Sequence, residues 1–516
     1  MGIRLDRYHP ISYVMVEVEV SENIKIDGFL EKSRLDWKGK IEMDTKTFRK
    51  HGHVIVDWIA DYMDHIEEYP VLAQVEPGEI AGQLPDTAPL ESEEMEAILN
   101  DFKRILLPGM THWQHPSFFA YFPANTSGPS VLAEFLTAAL GAQCMVWQSS
   151  PAATELEEVV TDWLRQVLGL PEGFSGVIQD AASTSTLCAL LCARERATNY
   201  AVNKRGFGNG STQRLTLYTS EEAHSSVEKG VKIAGFGRDN LRLIPTGADF
   251  AMIPGELERS IEADKGDGHL PCCVVATVGT TSSTAIDPLR PIGQICDRHR
   301  LWLHVDAAMA GTAAILPEMR HILDGVEFAD SFVFNPHKWM FTNFDCSAYF
   351  CKDPEALTST FEIMPEYLKT QVDRRVKNFR DWGIPLGRRF RALKLWFVIR
   401  SFGIRGLQEK VRSHIDLARE FESWIQEDPR FEMMAPMTLN LVCFRYHPPQ
   451  RNLTEDELER INRGLMDELN RSGRMFMTHT KLKGKFTLRL CVGQTNTTRE
   501  HVQRAWEQIR ASVSNL

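Results

Sequence analysis

The chain has 516 residues, of which 43% are hydrophobic and 25% are charged, and its formal net charge is -11. This is the composition of a globular protein with enough length for a large core and two or three domains. The acidic balance argues against nucleic acid or an anionic membrane as the main partner, and no apolar run of about 18 residues predicts a membrane span.

Ten cysteines are present, but no CxxC pair occurs. Cys188 and Cys192 are four residues apart in a predicted helix, and Cys272 and Cys273 are adjacent in an apolar segment. This pattern favours buried, reduced thiols in a cytoplasmic protein over a disulfide framework. The histidine pairs have no cysteine or carboxylate neighbours at a zinc spacing, so the sequence predicts no metal site.

The first 42 residues differ from a signal or transit peptide, because Glu17 and Glu19 interrupt their apolar run. We predict a weakly ordered tail or an added edge strand here. Apolar residues on one face predict a helix over 45–68. Another helix is predicted over 154–170, where Thr154 and Glu157 would form a capping box at its start.

Strands and helices then alternate over residues 128–395. The predicted strands are nearly continuous apolar runs, which is typical of a largely parallel sheet covered on both faces. Their sequences are GVIQD, LTLYTS, CCVVATVG, LWLHVDAA and SFVF. The last part of the chain differs, because shorter strands and a helix that opens at Thr454 and Glu457 predict a smaller α+β domain.

Polar side chains follow the predicted strands at their carboxyl ends, where parallel sheets gather their ligands. The turn AASTST follows the first strand and offers hydroxyls and N–H groups to a phosphate, although plain helix capping by Ser183 or Thr184 would explain it as well. The later strand ends are followed by His224, by Thr280 and Thr281, by Asp306, and by Asn335, His337 and Lys338.

These residue types suit a phosphorylated pyridine aldehyde. A lysine amine kept neutral in apolar company can form a Schiff base with the aldehyde. An aspartate can pair with the pyridine nitrogen and keep it protonated, since opposite charges about 4 Å apart gain roughly 4 kcal/mol at an effective dielectric near 20. A histidine can stack on the ring, and the hydroxyl turn can hold the phosphate. A coincidental polar rim is the alternative.

Long ordered motifs then support a family resemblance: THWQHPSFFAYFPA, EEAHSSVEK, HVDAAMAG, NPHKWMFTNFDCSAYF and DWGIPLGRRFRALKLWFVIRSFG. Through them the chain resembles the aromatic L-amino-acid decarboxylases of the group II pyridoxal-phosphate-dependent decarboxylase family. The resemblance implies the α/β fold of type I pyridoxal-phosphate enzymes, which is aspartate aminotransferase-like, and a homodimer with shared active sites. The implied organisation is an extension over 1–42, a dimer-forming helical segment over 43–127, a large seven-stranded domain over 128–395 and a small α+β domain over 396–516.

The resemblance also implies a role for each matching residue. Lys338 is the Schiff-base lysine, Asp306 pairs with the ring nitrogen, and Ala308 and His224 contact opposite faces of the ring. Tyr367, in the segment PEYLKTQVD, is the catalytic proton donor. The other implied cofactor-binding residues are Ala182, Ser183, Thr281, Asn335 and His337. The implied substrate-binding residues are Trp113, Tyr121, Phe122, Pro123, Gln143 and Met145, together with Leu386 and Gly387 of the neighbouring subunit.

The implied pocket matches Trp113, Tyr121, Phe122 and Pro123 favour an aromatic substrate over glutamate or cysteine sulfinate, because no arginine is among them. Gln143 and Met145 replace an isoleucine and a phenylalanine of the animal pattern. Gly387 leaves room that accompanies indolic substrates in related plant enzymes. We therefore predict decarboxylation of tryptophan, 5-hydroxytryptophan, Dopa, tyrosine or phenylalanine.

Four alternatives remain open from the sequence. An aromatic acetaldehyde synthase would oxidise the substrate with oxygen, but such enzymes resemble variants in which the loop tyrosine or the stacking histidine is replaced, and both Tyr367 and His224 are present here. A decarboxylase of another amino acid is the second alternative. A non-catalytic phosphate-ligand scaffold and an aminotransferase of the same fold are the others.

Overall fold

The computed structural model of the chain describes residues 43–208, 213–363 and 375–514. These residues form two compact units: 43–64 with 78–107, and 65–77 with 108–514. The domain boundaries that we predict after residues 42, 127 and 395 stay predictions.

The first unit is built on the helices Thr45–Asp64 and Met95–Asp101. Lys50 Nζ lies 2.7 Å from Glu96 Oε1 and links the two helices. The indole of Trp58 stacks on Tyr62 one turn later, with ring centroids 5.5 Å apart. The predicted helix over 45–68 is therefore present, although its regular part ends at Asp64.

A seven-stranded sheet forms the centre of the second unit. In the order β1-β7-β6-β5-β4-β2-β3 its neighbouring strands are hydrogen-bonded, and all pairs are parallel except those that involve β7. The strands are β1 (Ser175–Gln179), β2 (Leu215–Ser220), β3 (Leu241–Ile244), β4 (Leu270–Thr277), β5 (Trp302–Asp306), β6 (Ser331–Phe334) and β7 (Ser347–Cys351). This confirms the predicted large and mostly parallel sheet.

Alternate side chains of these strands pack into separate cores on the two faces of the sheet. On β2, Tyr218 belongs to one core and Leu217 to the other, and on β5 the same alternation separates Leu303 from Trp302. Burial of both faces explains why the strands are apolar along their whole length. The edge strand β3 is only partly buried and contains Arg242, so the apolar-run criterion did not find it.

Helices connect and cover these strands. In the described part of the second unit they are Gly128–Leu140, Pro151–Leu168, Ala182–Ala197, Ala201–Arg205, Ser226–Ile233, Pro254–Gly266, Leu289–His299, Pro336–Trp339, Pro354–Phe361, Arg391–Glu427, Glu455–Arg471 and Arg499–Val513. The long helix Arg391–Glu427 is kinked at Gly403, whose φ of 63° is left-handed and easily adopted by glycine.

The predicted small C-terminal sheet is also present. Its antiparallel strands follow the order β10-β11-β9-β8, and Thr454 and Glu457 form the predicted capping box in front of the helix Glu455–Arg471. The strands are β8 (Phe431–Met433), β9 (Leu441–Tyr446), β10 (Thr478–Leu482) and β11 (Lys485–Cys491).

The other predicted capping box, at Thr154 and Glu157, is wrong. The helix begins three residues earlier at Pro151, because proline is well suited to a first helical position where its missing N–H is not needed. Glu157 is buried and accepts hydrogen bonds from the Ile178 N–H at 2.8 Å and from Arg388 Nη2 at 2.6 Å. The Glu157 carboxylate, which we predict as part of a helix cap, instead forms a buried ion pair with Arg388.

All ten cysteines are buried and have free thiols. Burial raises the pKa of most of these thiols, that of Cys144 to about 11 and that of Cys188 to about 12. No helix in the described part of the chain is both long enough and apolar enough to cross a membrane.

Candidate active site

The carboxyl ends of β5 and β6 bring the two central candidates together. Asp306 is the last residue of β5 and lies opposite Val333 of β6 in the strand register. Three residues after Val333 the chain enters the short helix Pro336–Trp339, which contains Lys338. The neighbouring parallel strands β5 and β6 therefore place Asp306 and Lys338 at the same, carboxyl-terminal end of the sheet.

The Lys338 side chain is partly buried beside an aromatic ring. Its Nζ lies 5.4 Å from the centroid of the Phe122 ring. Burial lowers the pKa of the Lys338 amine, and the negative charge of Asp306 opposes that shift. Within the described part of the chain, no hydrogen bond or ion pair is formed by this Nζ atom. Burial thus shifts the amine toward its neutral, nucleophilic form.

Asp306 is buried, and a nearby backbone N–H group holds its carboxylate in place. One carboxylate oxygen, Oδ1, accepts the N–H of Ala308 at 3.0 Å. Behind it, His304 is fixed between the hydroxyls of Thr186 and Ser331, and burial lowers the pKa of this histidine to about 4. A neutral His304 does not neutralise the aspartate, so the carboxylate charge remains available to a cationic partner in the cleft.

His224 follows β2, and the residue keeps access to solvent although neighbouring groups partly cover its imidazole. Its Nδ1 lies 3.2 Å from the backbone nitrogen of Ser226 and 2.8 Å from the Ser226 hydroxyl. Because a backbone N–H can only donate, Nδ1 is the acceptor, and the proton of the neutral ring is on Nε2. Burial lowers the pKa of His224, Asp306 raises it and Lys338 lowers it, so the three groups share one electrostatic environment.

The predicted phosphate seat is the start of the helix Ala182–Ala197. The residue before it is Ala181, and no side chain caps its first N–H groups, so the plain-capping interpretation for Ser183 or Thr184 is wrong. Ser183 is exposed there. On the β6 side, Asn335 is buried and its Oδ1 has no hydrogen-bond partner in the structure. Uncapped N–H groups at a helix start are suited to an anion.

These features fit a phosphorylated pyridine aldehyde. The Lys338 amine, whose pKa is lowered by burial, suits the aldehyde, the Asp306 carboxylate suits a protonated ring nitrogen, and the uncapped helix start suits the phosphate. Ala308 is partly exposed and offers a small, flat contact surface. The residues at these strand ends thus offer a partner to the aldehyde, the ring nitrogen and the phosphate of this cofactor.

An aromatic wall borders the same region. Trp113 stacks on Tyr121 with ring centroids 5.7 Å apart and also approaches Phe118 at 4.5 Å. Phe122 next to them faces Lys338, and Pro123 is buried. A cleft of about 380 Å³ opens between Tyr121 and the small sheet. The predicted substrate residues of this segment therefore lie together.

The same cleft contains an arginine that sequence analysis missed. Arg489 on β11 is 4% exposed, and its guanidinium lies 5.8 Å from the centroid of the Phe122 ring. It donates to the backbone oxygen of Thr281 at 2.6 Å, to that of Ser282 at 3.1 Å and to Thr478 Oγ1 at 2.9 Å. No carboxylate pairs with it among the described residues. Arg489 thus holds the loop after β4, in which Thr281 is a predicted cofactor residue.

Replacing Arg489 with methionine is expected to raise the KM for substrate and the dissociation constant of the cofactor by about tenfold to a hundredfold. The physical reason is that the partly buried carbonyl of Thr281 would lose the arginine donor and that of Ser282 would keep only the Cys443 thiol, which costs about 1–3 kcal/mol and releases the loop. Titration of cofactor into apoprotein, with steady-state kinetics, measures both constants. Arg445→Met, which removes a buried arginine of β9 that pairs with Glu432 and Glu455 instead of the Thr281 loop, is the control; equal effects from both variants would contradict a local role.

Four further predicted residues form a separate group. The backbone N–H of Arg388 donates to Gln143 Oε1 at 2.6 Å, and Met145 O accepts the N–H of Arg380 at 2.9 Å. Leu386 and Gly387 are exposed beside them. Within the described part of the chain, no hydrogen bond or ring contact links this group to Lys338, Asp306 or His224.

The two remaining predicted site residues are His337 and Tyr367. The ring of His337 is buried and its Nδ1 accepts the backbone N–H of Cys346 at 2.9 Å, which ties this nitrogen to the scaffold. Burial lowers the pKa of His337 to about 3, so the ring is neutral. Tyr367 lies outside the described residues, and its role stays a prediction.

Comparison with known proteins identifies the family. Residues 77–447 match the family model of the pyridoxal-dependent decarboxylase conserved domain. Phenylacetaldehyde synthase of Arabidopsis thaliana is 44% identical over 484 residues, which cover 92% of this chain and 97% of that protein. Aromatic-L-amino-acid decarboxylase of Mus musculus is 44% identical over 486 residues, which cover 92% and 99%. The crystal structure of Oryza sativa TDC with PLP and tryptamine is similar with a TM-score of 0.88 and 38% identity, over 92% of this chain and 99% of that one.

A protein with this sheet and this lysine–aspartate pair has the fold of the pyridoxal-phosphate decarboxylases. The family match covers most of the chain, and the identity to its relatives extends over nearly their whole length. The chain therefore belongs to the pyridoxal-phosphate-dependent decarboxylase family.

Proposed function

We propose that the protein is an aromatic L-amino-acid decarboxylase that uses pyridoxal 5'-phosphate. Its products are the arylalkylamine and carbon dioxide. The observation that carries the proposal is the Lys338 amine, whose pKa is lowered by burial and which shares its electrostatic environment with the Asp306 carboxylate at neighbouring strand ends. The aromatic wall of Trp113 and Tyr121 supports an aromatic substrate. The mouse relative is named aromatic-L-amino-acid decarboxylase, and the rice structure contains tryptamine.

The described residues divide the work of the reaction. When bound, pyridoxal phosphate supplies an aldehyde for covalent attachment and a ring that accepts the electrons left by carbon dioxide. Lys338 would hold the cofactor covalently through its Nζ and would be the group that displaces the product amine. Asp306 would hold a proton at the ring nitrogen, and His224, whose Nδ1 accepts the Ser226 N–H, would lie against the ring face. The aromatic wall orients the substrate, which lowers the entropy cost of reaching a reactive geometry.

The acetaldehyde synthase alternative has specific support, since one relative at 44% identity is named phenylacetaldehyde synthase. Both reactions lose carbon dioxide, and they differ in whether Cα then receives a proton or reacts with oxygen. Tyr367 and His224 are both present, which favours protonation and an amine product. Supplying each aromatic amino acid and measuring amine, aldehyde and peroxide by mass spectrometry and peroxidase coupling tests this; peroxide equal to carbon dioxide would contradict the decarboxylase.

Replacing Tyr367 with phenylalanine is expected to lower amine formation by about a hundredfold, because a positioned proton donor contributes about that much. Substrate, oxygen and water should then yield aldehyde, carbon dioxide, ammonia and hydrogen peroxide. Product ratios from Dopa or tryptophan measure the change. Tyr446→Phe in the small domain is the control. Amine made by Tyr367→Phe at the original rate without aldehyde would show that another group donates the proton.

We also propose a homodimer in the cytoplasm. Support for the dimer comes from the helix Gly128–Leu140, which exposes a run of large apolar side chains, and from the predicted substrate residues that lie apart from Lys338. Exposed apolar patches of this kind are typical of interfaces. Light scattering on purified protein tests the dimer, and fractionation of cells tests the location. The exposed apolar residues are Leu132, Phe135, Leu136 and Leu140, with Ile384 and Leu386 on the neighbouring segment.

A further inference from the structure

We propose that His414 is a positioning residue for the reaction, because it holds the turn that carries the Lys338 amine through the indole of Trp339. This inference rests on the proposed function, in which Lys338 binds pyridoxal phosphate covalently. His414 lies on the long helix Arg391–Glu427, far from Lys338 in the sequence.

The turn that carries Lys338 is too short to fix its own direction. It is the helix Pro336–Trp339, which has only four residues. Two backbone hydrogen bonds stabilise it, from Lys338 N–H to Asn335 O at 2.9 Å and from Met340 N–H to Pro336 O at 3.0 Å. Helices of this length are not stable without tertiary contacts. The direction of the lysine side chain therefore depends on what holds the residues on either side of it.

Trp339 is the anchor on one side of the lysine. Its indole is fully buried, and its Nε1–H donates to His414 Nδ1 at 3.0 Å. The two ring planes are nearly parallel, with an angle of 11°. Because an indole N–H can only donate, Nδ1 is the acceptor, and the proton of the neutral imidazole is on Nε2. Burial lowers the pKa of His414 to about 3, so the ring is neutral and Nδ1 stays available to Trp339.

His414 also connects this anchor to the loop that follows β11. The imidazole forms a hydrogen bond to the backbone of Gln494, which opposes the lowering of its pKa. In the same loop the carbonyl of Gly493 accepts a hydrogen bond from Asn125 Nδ2 at 2.9 Å. The contact from Trp339 to His414 is therefore continued into a segment that reaches Asn125.

Asn125 returns the connection to the other side of the lysine. Its backbone N–H donates to the carbonyl of His337 at 3.1 Å. His337 directly precedes Lys338, and Asn125 lies two residues after the predicted substrate residue Pro123. These contacts form a closed hydrogen-bond circuit that passes through both sequence neighbours of Lys338. The side chains of Asn125, His337, Trp339, His414 and Gln494 are all buried, so water does not compete with the circuit.

Loss of the His414 acceptor opens this circuit at Trp339. A buried N–H group is then left without a partner, which corresponds to about tenfold in an equilibrium constant. The turn gains freedom, and the Lys338 amine spends less time in the direction that suits reaction. The effect should therefore appear in the bond-forming step of Lys338 more than in the binding of substrate.

Two replacements of His414 test this inference. Asparagine places a carbonyl oxygen where Nδ1 was and keeps an acceptor for Trp339, whereas leucine fills the space without one. Pyridoxal phosphate is added to each apoprotein, and the rate of attachment is followed by visible absorbance and borohydride trapping. In this attachment Nζ forms a C=N bond to the aldehyde carbon and releases the aldehyde oxygen as water.

We expect His414→Leu to slow attachment and to lower kcat by about tenfold each, with KM within about threefold of wild type. His414→Asn should restore both rates to within about threefold of wild type. In Trp339→Phe, which already lacks the indole N–H, His414→Leu should add less than about twofold, because the interaction that it removes is absent.

His501→Leu is the matched control. His501 is also buried, and its Nδ1 accepts the Thr498 N–H at 3.0 Å, so the variant should lower the thermal unfolding temperature and leave the attachment rate unchanged. An attachment rate in His414→Leu equal to that of wild type would overturn the inference, as would equal losses in the asparagine and leucine variants. Absence of any attachment at Lys338 in the wild type would instead overturn the proposed function.

Discussion

Replacing Lys338 with methionine is expected to lower kcat for amine formation by on the order of 10⁴-fold and to abolish covalent attachment of the cofactor. Methionine keeps the length and apolar contacts of the side chain, so the fold should be retained while the amine is lost. The expectation follows from the partly buried Nζ, whose pKa is lowered by burial and which has no partner among the described residues.

Lys410→Met is the matched control for this experiment. Burial lowers the pKa of Lys410 too, and its Nζ lies 5.5 Å from the centroid of the Phe341 ring, but it contacts no predicted site residue. Borohydride reduction of each cofactor-loaded protein, followed by peptide mapping, shows where the cofactor is attached. Labelling at Lys338 in the wild type and in Lys410→Met is expected. Attachment that persists in Lys338→Met would show that another amine is used.

Replacing Asp306 with asparagine is the second large effect, and we expect kcat to fall by about a thousandfold. A carboxylate about 4 Å from a pyridinium contributes roughly 4 kcal/mol at an effective dielectric near 20, and this corresponds to about three orders of magnitude in rate. Asparagine can still accept the Ala308 N–H through its oxygen, so the local backbone should survive. Its remaining NH₂ group cannot hold a proton on the ring nitrogen.

Asp287→Asn is the control that distinguishes loss of the Asp306 charge from a general loss of stability. Asp287 is fully buried and accepts the N–H groups of Met252 at 2.7 Å and Thr277 at 2.8 Å, so its replacement should lower thermal stability and leave kcat nearly unchanged. Steady-state kinetics and thermal unfolding of both variants measure the contrast. Asp306→Asn with kcat within threefold of wild type would contradict the assigned role.

Much of the site was predictable because it lies at the ends of locally encoded strands. Apolar runs and the polar residues after them are short-range patterns, and parallel pairing then forces Asp306 and Lys338 to one edge. The helix start at Ala182 was found for the same reason. The structure adds that no side chain caps this helix start, so its N–H groups are available to an anion.

Other features depended on contacts between distant parts of the chain. Arg489 is more than 200 residues from Thr281, and nothing near β11 in the sequence marks it as part of the cleft. Glu157 fits a capping pattern, but its burial against Arg388 could be recognised only when Pro151 was seen to begin the helix. The short edge strand β3 lacks the apolar run that local patterns require.

The sequence by itself determined the sheet of mostly parallel strands, the chemistry at their ends and the family, since these depend on residue order and short-range periodicity. Only the tertiary structure decided that the Lys338 amine is desolvated beside Phe122, that Arg489 holds the Thr281 loop and that the Arg388 N–H donates to Gln143. Desolvation and hydrogen-bond partnership are properties of three-dimensional neighbours, and those neighbours come from segments far apart in the chain.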